Sequence, residues 1–271
     1  MGKQRLDTLL AERGLFASRT RAAASVMAGQ VRIGRGDRRA LKPGELIDVE
    51  EVVRVEERPA FVSRGGVKLA NALDACGLDV TGVRALDVGA STGGFTDCLL
   101  QRGAREVTAV DVGYGILDYG LRSDPRVTVL ERTNARSLTP AMLAEATPGE
   151  PPALAVVDVS FISLTKILGA VISCLAEDYD ALAMIKPQFE VGRGRVGKGG
   201  VVRDPDDRRG ALIDVGRAAI ALGAGVIGYH SSGLPGPKGN QETFIWLAAA
   251  DRAGAVSDPL LLEDLAREVE P

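Results

Sequence analysis

The segment Ala85-Leu86-Asp87-Val88-Gly89-Ala90-Ser91-Thr92-Gly93-Gly94-Phe95 limits the fold of this chain more than any other. A short apolar stretch runs through a glycine-rich turn into helix-forming residues. Comparable apolar stretches recur at Arg84–Gly89, Glu106–Val112, Val127–Glu131, Leu154–Val159 and Ala181–Ile185. Segments with helical character, such as Thr96–Arg102 and Leu164–Ala176, lie between them. Gly225–Ser231 and Phe244–Ala249, separated by a Gly/Pro-rich turn, read as an antiparallel pair at the edge of the sheet. Strands alternating with helices predict a doubly wound, Rossmann-like α/β domain.

The first 58 residues read differently. Leu6, Leu9 and Leu10 recur at helical spacing, with Asp7 placed to favour the helix dipole. Gly14 stops that helix, Ser18 caps a second running from Arg19 to Met27, and Gly29 ends it. Short strands follow around Val31–Ile33 and Leu46–Val49. The polar stretch Val53-Arg54-Val55-Glu56-Glu57-Arg58-Pro59 predicts the interdomain joint. We therefore expect a small α+β domain at 1–58, a connector at 59–63 and a large domain at 64–271.

The net charge of −3 gives no global sign of a polyanionic partner, but its distribution does. Residues 1–42 hold ten Lys/Arg against three Asp/Glu, and residues 43–58 hold six acids against two bases. Such asymmetry points to nucleic acid, with a solvated charged surface as the alternative. Cys76, Cys98 and Cys174 lack metal-ligand spacing, so we expect neither disulfides nor metal, and a reducing cytoplasm fits. His230 is the single histidine, which excludes mechanisms needing two. No run approaches the ~18 apolar residues of a membrane span, and no signal peptide is legible.

The glycine-rich turn is a nucleoside-binding layout. Gly89 permits the tight turn, while Gly93 lets a ligand approach backbone N–H groups. Asp111 closes the next strand, where a carboxylate accepts bonds from ribose hydroxyls. A dinucleotide fingerprint would place glycine at position 91, where this chain has Ser91. Asp87, two residues before Gly89, suits a cationic cofactor, and S-adenosylmethionine is the leading reading. A purely structural turn is the alternative. The candidate cofactor set includes Asp87, Gly89, Ala90, Ser91, Thr92, Gly93 and Asp111.

Asp158 stands at the carboxyl end of the fourth predicted strand, after Leu154-Ala155-Val156-Val157, and Lys186 follows the fifth, so both should flank the crevice outside the carboxyl ends of the sheet. Lys68 is placed just ahead of the first helix of the large domain, and Glu242 at the start of the last strand. Spacing alone does not single out these last two. A ribose 2′-hydroxyl is a poor nucleophile, and a lysine takes its proton only if burial or a nearby cation lowers its proton affinity. We assign Lys186 as the base or polarising group and Lys68 as the neighbouring cation. Asp158 and Glu242 would orient the two amines.

These segments resemble a known family. Arg5-Leu6-Asp7, Ser63-Arg64-Gly65-Gly66, Asp87–Phe95, Val157-Asp158-Val159-Ser160-Phe161-Ile162-Ser163, Ile185-Lys186-Pro187-Gln188-Phe189-Glu190 and Gly239-Asn240-Gln241-Glu242 together are similar to the TlyA (hemolysin A) rRNA 2′-O-methyltransferases. The large domain of that family is similar to FtsJ/RrmJ. The resemblance implies a class I methyltransferase sheet using S-adenosylmethionine and a Lys-Asp-Lys-Glu tetrad at Lys68, Asp158, Lys186 and Glu242. It also implies an N-terminal RNA-binding domain of the ribosomal protein S-four type, and cytidine ribose in ribosomal RNA as substrate. Arg58-Pro59-Ala60-Phe61-Val62 takes the place of a family motif linked to cofactor binding. Asn134 takes that of a residue near the adenine.

The expected partners are ribosomal RNA and ribosomal subunits, with neither DNA nor a membrane among them; oligomeric state has no sequence signature. Arg5, Arg19, Arg21 and Arg32 are candidate phosphate contacts in the small domain. Arg193, Arg195 and Lys198, in a basic glycine-rich loop after the Lys186 strand, are candidates at the active-site mouth. Competing readings are a pore-forming haemolytic protein, a nicotinamide-dependent oxidoreductase and a non-catalytic RNA-binding protein.

Overall fold

The computed structural model describes residues 2–56 and 59–270, with Arg193 described in its backbone only. The chain divides into two compact units, Met1–Pro59 and Ala60–Pro271.

In the first unit, β1 (Lys3–Arg5) leads into α1 (Leu6–Glu12) and α2 (Arg19–Met27), followed by β2 (Val31–Ile33), β3 (Arg38–Arg39), β4 (Leu46–Asp48) and β5 (Val53–Val55). The Ser18 side chain accepts from the Arg21 N–H and starts α2, as its position predicts. The expected strands at 31–33 and 46–49 are present in outline but do not pair with each other. β4 lies antiparallel to β1, and β2 lies between β3 and β5. β5 occupies part of the stretch read as a joint. Val53 and Val55 turn onto a core of Leu6, Leu9, Leu10, Val26, Val31 and Ile47, while Arg54 faces out. Glu57 and Arg58 lie outside the described residues.

The second unit opens with α3 (Arg64–Cys76), which the Ser63 side chain caps and Gly77 ends at φ 63°. Then come β6 (Arg84–Val88), α4 (Gly94–Gln101), β7 (Glu106–Val110), α5 (Tyr119–Arg122), β8 (Val127–Leu130), α6 (Pro140–Ala146), β9 (Leu154–Val157), α7 (Leu168–Ile172), β10 (Asp180–Ile185), α8 (Pro187–Glu190), α9 (Pro205–Ala221), β11 (Ala224–Ser231), β12 (Thr243–Ala249) and α10 (Leu262–Arg267). The segment 164–176, read as one helix, is a 3-10 turn at Leu164–Lys166 followed by the short α7.

The strand order is β11-β12-β10-β9-β6-β7-β8. β10, β9, β6, β7 and β8 run parallel, and β12 and β11 complete the sheet antiparallel. Central strands covered on both faces need nearly continuous apolar residues, and β6 and β9 are buried throughout. After β8 the chain returns to the other side of β6. That reversal opens a crevice at the carboxyl ends of β6 and β9, where open α/β sheets bind ligands.

Candidate active site

Two cavities meet at this crevice. One of about 530 Å³ is lined by Lys68, Asp158, Lys186 and Glu242. The other, of about 450 Å³, is lined by Asp111 and Asn134. Gly89, Ser91, Asp158, Ser160 and Phe161 line both.

Strands β9 and β10 deliver Asp158 and Lys186 side by side. The Lys186 ammonium stands 2.5 Å from Asp158 Oδ1, off the hydrogen-bonding direction, and donates to Ser160 Oγ at 3.0 Å. Pro187 begins α8 directly after Lys186, so the lysine stands at the strand–helix corner. Lys68 lies within α3 rather than ahead of it, because Ser63 starts the helix earlier than expected. Its buried ammonium pairs with the buried Glu242 carboxylate. Each lysine thus has its own carboxylate.

The glycine loop joins β6 to α4. Ser91 adopts φ 50°, and its N–H donates to Asp111 Oδ2 at 2.8 Å, while Gly113 N–H donates to Oδ1 at 2.6 Å. Each Asp111 oxygen therefore keeps one acceptor direction free. Asn134 caps the 3-10 turn Ala135–Ser137 through the Arg136 N–H and is exposed at the second cavity. Ala90 and Thr92 line the first cavity. Gly93, at φ 95°, packs against Leu121 and caps α4.

Asp87 lies beneath the loop, fully buried in β6, and lines neither cavity. Burial pushes its carboxyl up to about 7, against the Thr96 hydroxyl that donates to Oδ2 at 2.6 Å and with the charge of Asp158 adding to the rise. Its Oδ1 has no partner among the described residues.

Sequence reasoning missed several residues that hold the site together. Ser160 anchors Lys186. Glu190 accepts from the Ser163 hydroxyl at 2.6 Å and the Leu164 N–H at 2.9 Å, which ties the segment after β9 to that after β10. The buried Asn240 accepts from Val202 N–H and donates to the Gly200 carbonyl, fixing the end of the basic loop to the turn before Glu242. Their only signal was inclusion in the family-like segments. Phe61 packs on Gly66, and Val62 N–H donates to Asp97 at 2.8 Å, seating the start of the unit against α3 and α4.

The basic candidates differ in how free they are. Arg195 donates to the Val191 carbonyl at 2.8 Å and faces Asp207, whereas Lys198 is exposed. The side chain of Arg193 lies outside the described residues. Arg5 and Arg19 converge on Asp7, Arg32 pairs with Glu56 at 2.8 Å, and Arg21 is exposed. Among the described residues no Cys/His/acid cluster is placed to hold a metal ion, and no helix is long and apolar enough to cross a membrane.

A seven-stranded sheet with a nucleoside-type crevice and a paired Lys/Asp, Lys/Glu wall defines a methyltransferase-like α/β unit. Residues 61–249 match the FtsJ-like methyltransferase family. The chain is 49% identical over 254 residues to the 16S/23S rRNA (cytidine-2′-O)-methyltransferase TlyA of Mycobacterium tuberculosis H37Rv, covering 93% of this chain and 92% of that protein. It is 39% identical to Hemolysin A of Brachyspira hyodysenteriae, covering 88% and 97% of the two chains. A solved structure from Streptococcus thermophilus with the working name hemolysin superposes with a TM-score of 0.72 at 39% identity, covering 99% of this chain and 96% of that one. The chain belongs to the TlyA group of the FtsJ-like methyltransferase family.

Proposed function

We propose that this protein transfers a methyl group from S-adenosylmethionine to the ribose 2′-hydroxyl of a cytidine in ribosomal RNA. The observation that carries the reading is the Lys186–Asp158 pair at the junction of the two cavities, in a chain half identical to an enzyme named for that reaction.

The residues present fit the cofactor. Asp111 has acceptor directions for ribose hydroxyls, Asn134 lies in the same cavity, and the Asp158 carboxylate lines the junction of the two cavities. S-adenosylmethionine, when bound, supplies an electrophilic methyl group on a sulfonium. Lys186 meets the 2′-hydroxyl and polarises it, with Ser160 and Asp158 setting the position of its ammonium. With the methyl–sulfur bond breaking as the oxygen–carbon bond forms, the hydroxyl proton would pass to the Asp158 carboxylate held against the Lys186 ammonium. Lys68, held by Glu242, places a second fixed cation in the same cavity and favours negative charge developing on the 2′-oxygen. Displacement needs no covalent enzyme intermediate, so positioning carries much of the rate.

The small unit, in this reading, grips ribosomal RNA through Arg5, Arg19 and Arg21, and Arg195 and Lys198 contact phosphates at the active-site mouth. A ribosomal substrate places the protein in the cytoplasm. The test is transfer of labelled methyl to purified ribosomal subunits, followed by digestion to nucleosides. Label in 2′-O-methylcytidine is expected. Label confined to bases or to protein overturns the reaction class.

A further inference from the structure

Asp7 is a buried charge to which the proposed reaction gives no role. It sits in the first turn of α1, 3% exposed. Arg5 donates from Nε to Oδ1 at 3.1 Å and from Nη2 to Oδ2 at 2.7 Å, and Arg19 donates from Nε to Oδ2 at 3.2 Å. The arginines come from the end of β1 and the start of α2, and their side chains stay 47% and 57% exposed. The Arg5 hydrogen bond holds the Asp7 carboxyl well below the usual carboxylate range, against the effect of its burial. One buried negative charge thus underlies two exposed positive ones. Exposed arginine pairs add little stability by themselves. Fixing two long, rotamer-rich side chains before a ligand arrives removes an ordering cost from binding.

We propose that Asp7 is a positioning residue that presets Arg5 and Arg19 as a fork for RNA phosphate oxygens. It binds Nε of both arginines and Nη2 of Arg5, and among the described residues Nη1 of Arg5 and both terminal nitrogens of Arg19 are left to donate to phosphate. The proposal rests on the reading that this unit binds ribosomal RNA. It makes a prediction opposite in sign to simple electrostatics. Replacing Asp7 with Asn removes a negative charge beside the phosphates, which by charge alone tightens binding. If Asp7 presets the fork, the same change weakens binding, by about fivefold to 150-fold from the ordering of two side chains.

The experiment measures binding of the full-length protein to ribosomal subunits for wild type, Asp7→Asn, the double variant Arg5→Ala/Arg19→Ala, and the triple combination. The expected result is weaker binding by Asp7→Asn, with turnover at saturating subunits and cofactor affinity unchanged, and no further loss when Asp7→Asn is added to the double variant. If the loss persists in the triple variant, Asp7 acts through the fold and the proposal is overturned. Tighter or unchanged binding by Asp7→Asn, with weaker binding by the double variant, overturns the fork and leaves the RNA-binding reading intact. Unchanged binding by the double variant overturns that reading, and the fork with it.

Discussion

Glu242→Gln isolates one charge at the wall of the active site. Lys68 and Glu242 side chains are 8% and 2% exposed, so the pair is shielded from water on both sides. Removing the carboxylate leaves the Lys68 ammonium buried and uncompensated, which costs about 3–5 kcal/mol. For a unit of this size that lowers Tm by roughly 6–20 °C. Replacing both partners, as Lys68→Met/Glu242→Leu, removes both desolvation penalties, and most of the lost stability should return. Methyl transfer should stay impaired in both variants, because the cation that faces the substrate is misplaced or gone. Urea unfolding reads the effect directly, since Trp246 is the only tryptophan and lies in β12, the strand that Glu242 leads into. A cost below about 1 kcal/mol for Glu242→Gln, or a double variant no more stable than the single, would refute the reasoning.

The protonation of Asp87 gives a pH signature. With its carboxyl pushed up to about 7 by burial, the folded protein holds a proton that the unfolded chain releases near pH ~4. Its contribution to stability is therefore present at acid pH and lost as pH rises from about 4 to 7. Asp87→Asn should raise Tm relative to wild type at pH 8 and not at pH 4.5; a difference independent of pH contradicts this. At Gly89, φ is 86° and an added Cβ would run into the Asp158 carbonyl oxygen. Gly89→Ala should cost about 1–3 kcal/mol and weaken cofactor binding in calorimetry, and unchanged affinity would separate the loop from the site. Neutralising Arg193, Arg195 and Lys198 together should weaken subunit binding and flatten its salt dependence. Each lost phosphate contact removes about 0.7–0.9 from the slope, so an unchanged slope excludes the loop.

The parallel strands were legible because buried strands in such a sheet are unbroken apolar runs, and Leu154–Val157 and Ala181–Ile185 are two such runs. Asp158 and Lys186 were legible for the same reason, as charges placed where those runs stop. Lys68 and Glu242 were not, because a helix position and a residue after a Gly/Pro-rich turn meet only through tertiary folding. The resemblance, rather than spacing, named them. Val53-Arg54-Val55 was taken for a joint because its charged neighbours hid a two-residue alternation that the core of the small unit uses. Asp87 suggested a ligand carboxylate, yet it lies beneath the loop rather than on the cavity wall. Position in a strand fixes which face a side chain takes, not whether the loop above covers it. Glu190 and Asn240 carried no periodic signal, since their role is to bond backbone groups of segments distant in sequence.

The most direct test of the central claim is single-turnover methyl transfer from labelled S-adenosylmethionine to ribosomal subunits by wild type and Lys186→Met side by side. Wild type should label a cytidine 2′-oxygen. The variant should bind cofactor and subunits normally and lose roughly 10²–10⁴-fold in rate, the range for removing a positioned group from a proton-transfer step. A variant that transfers methyl at the wild-type rate would contradict the assignment of Lys186 and the mechanism built on it.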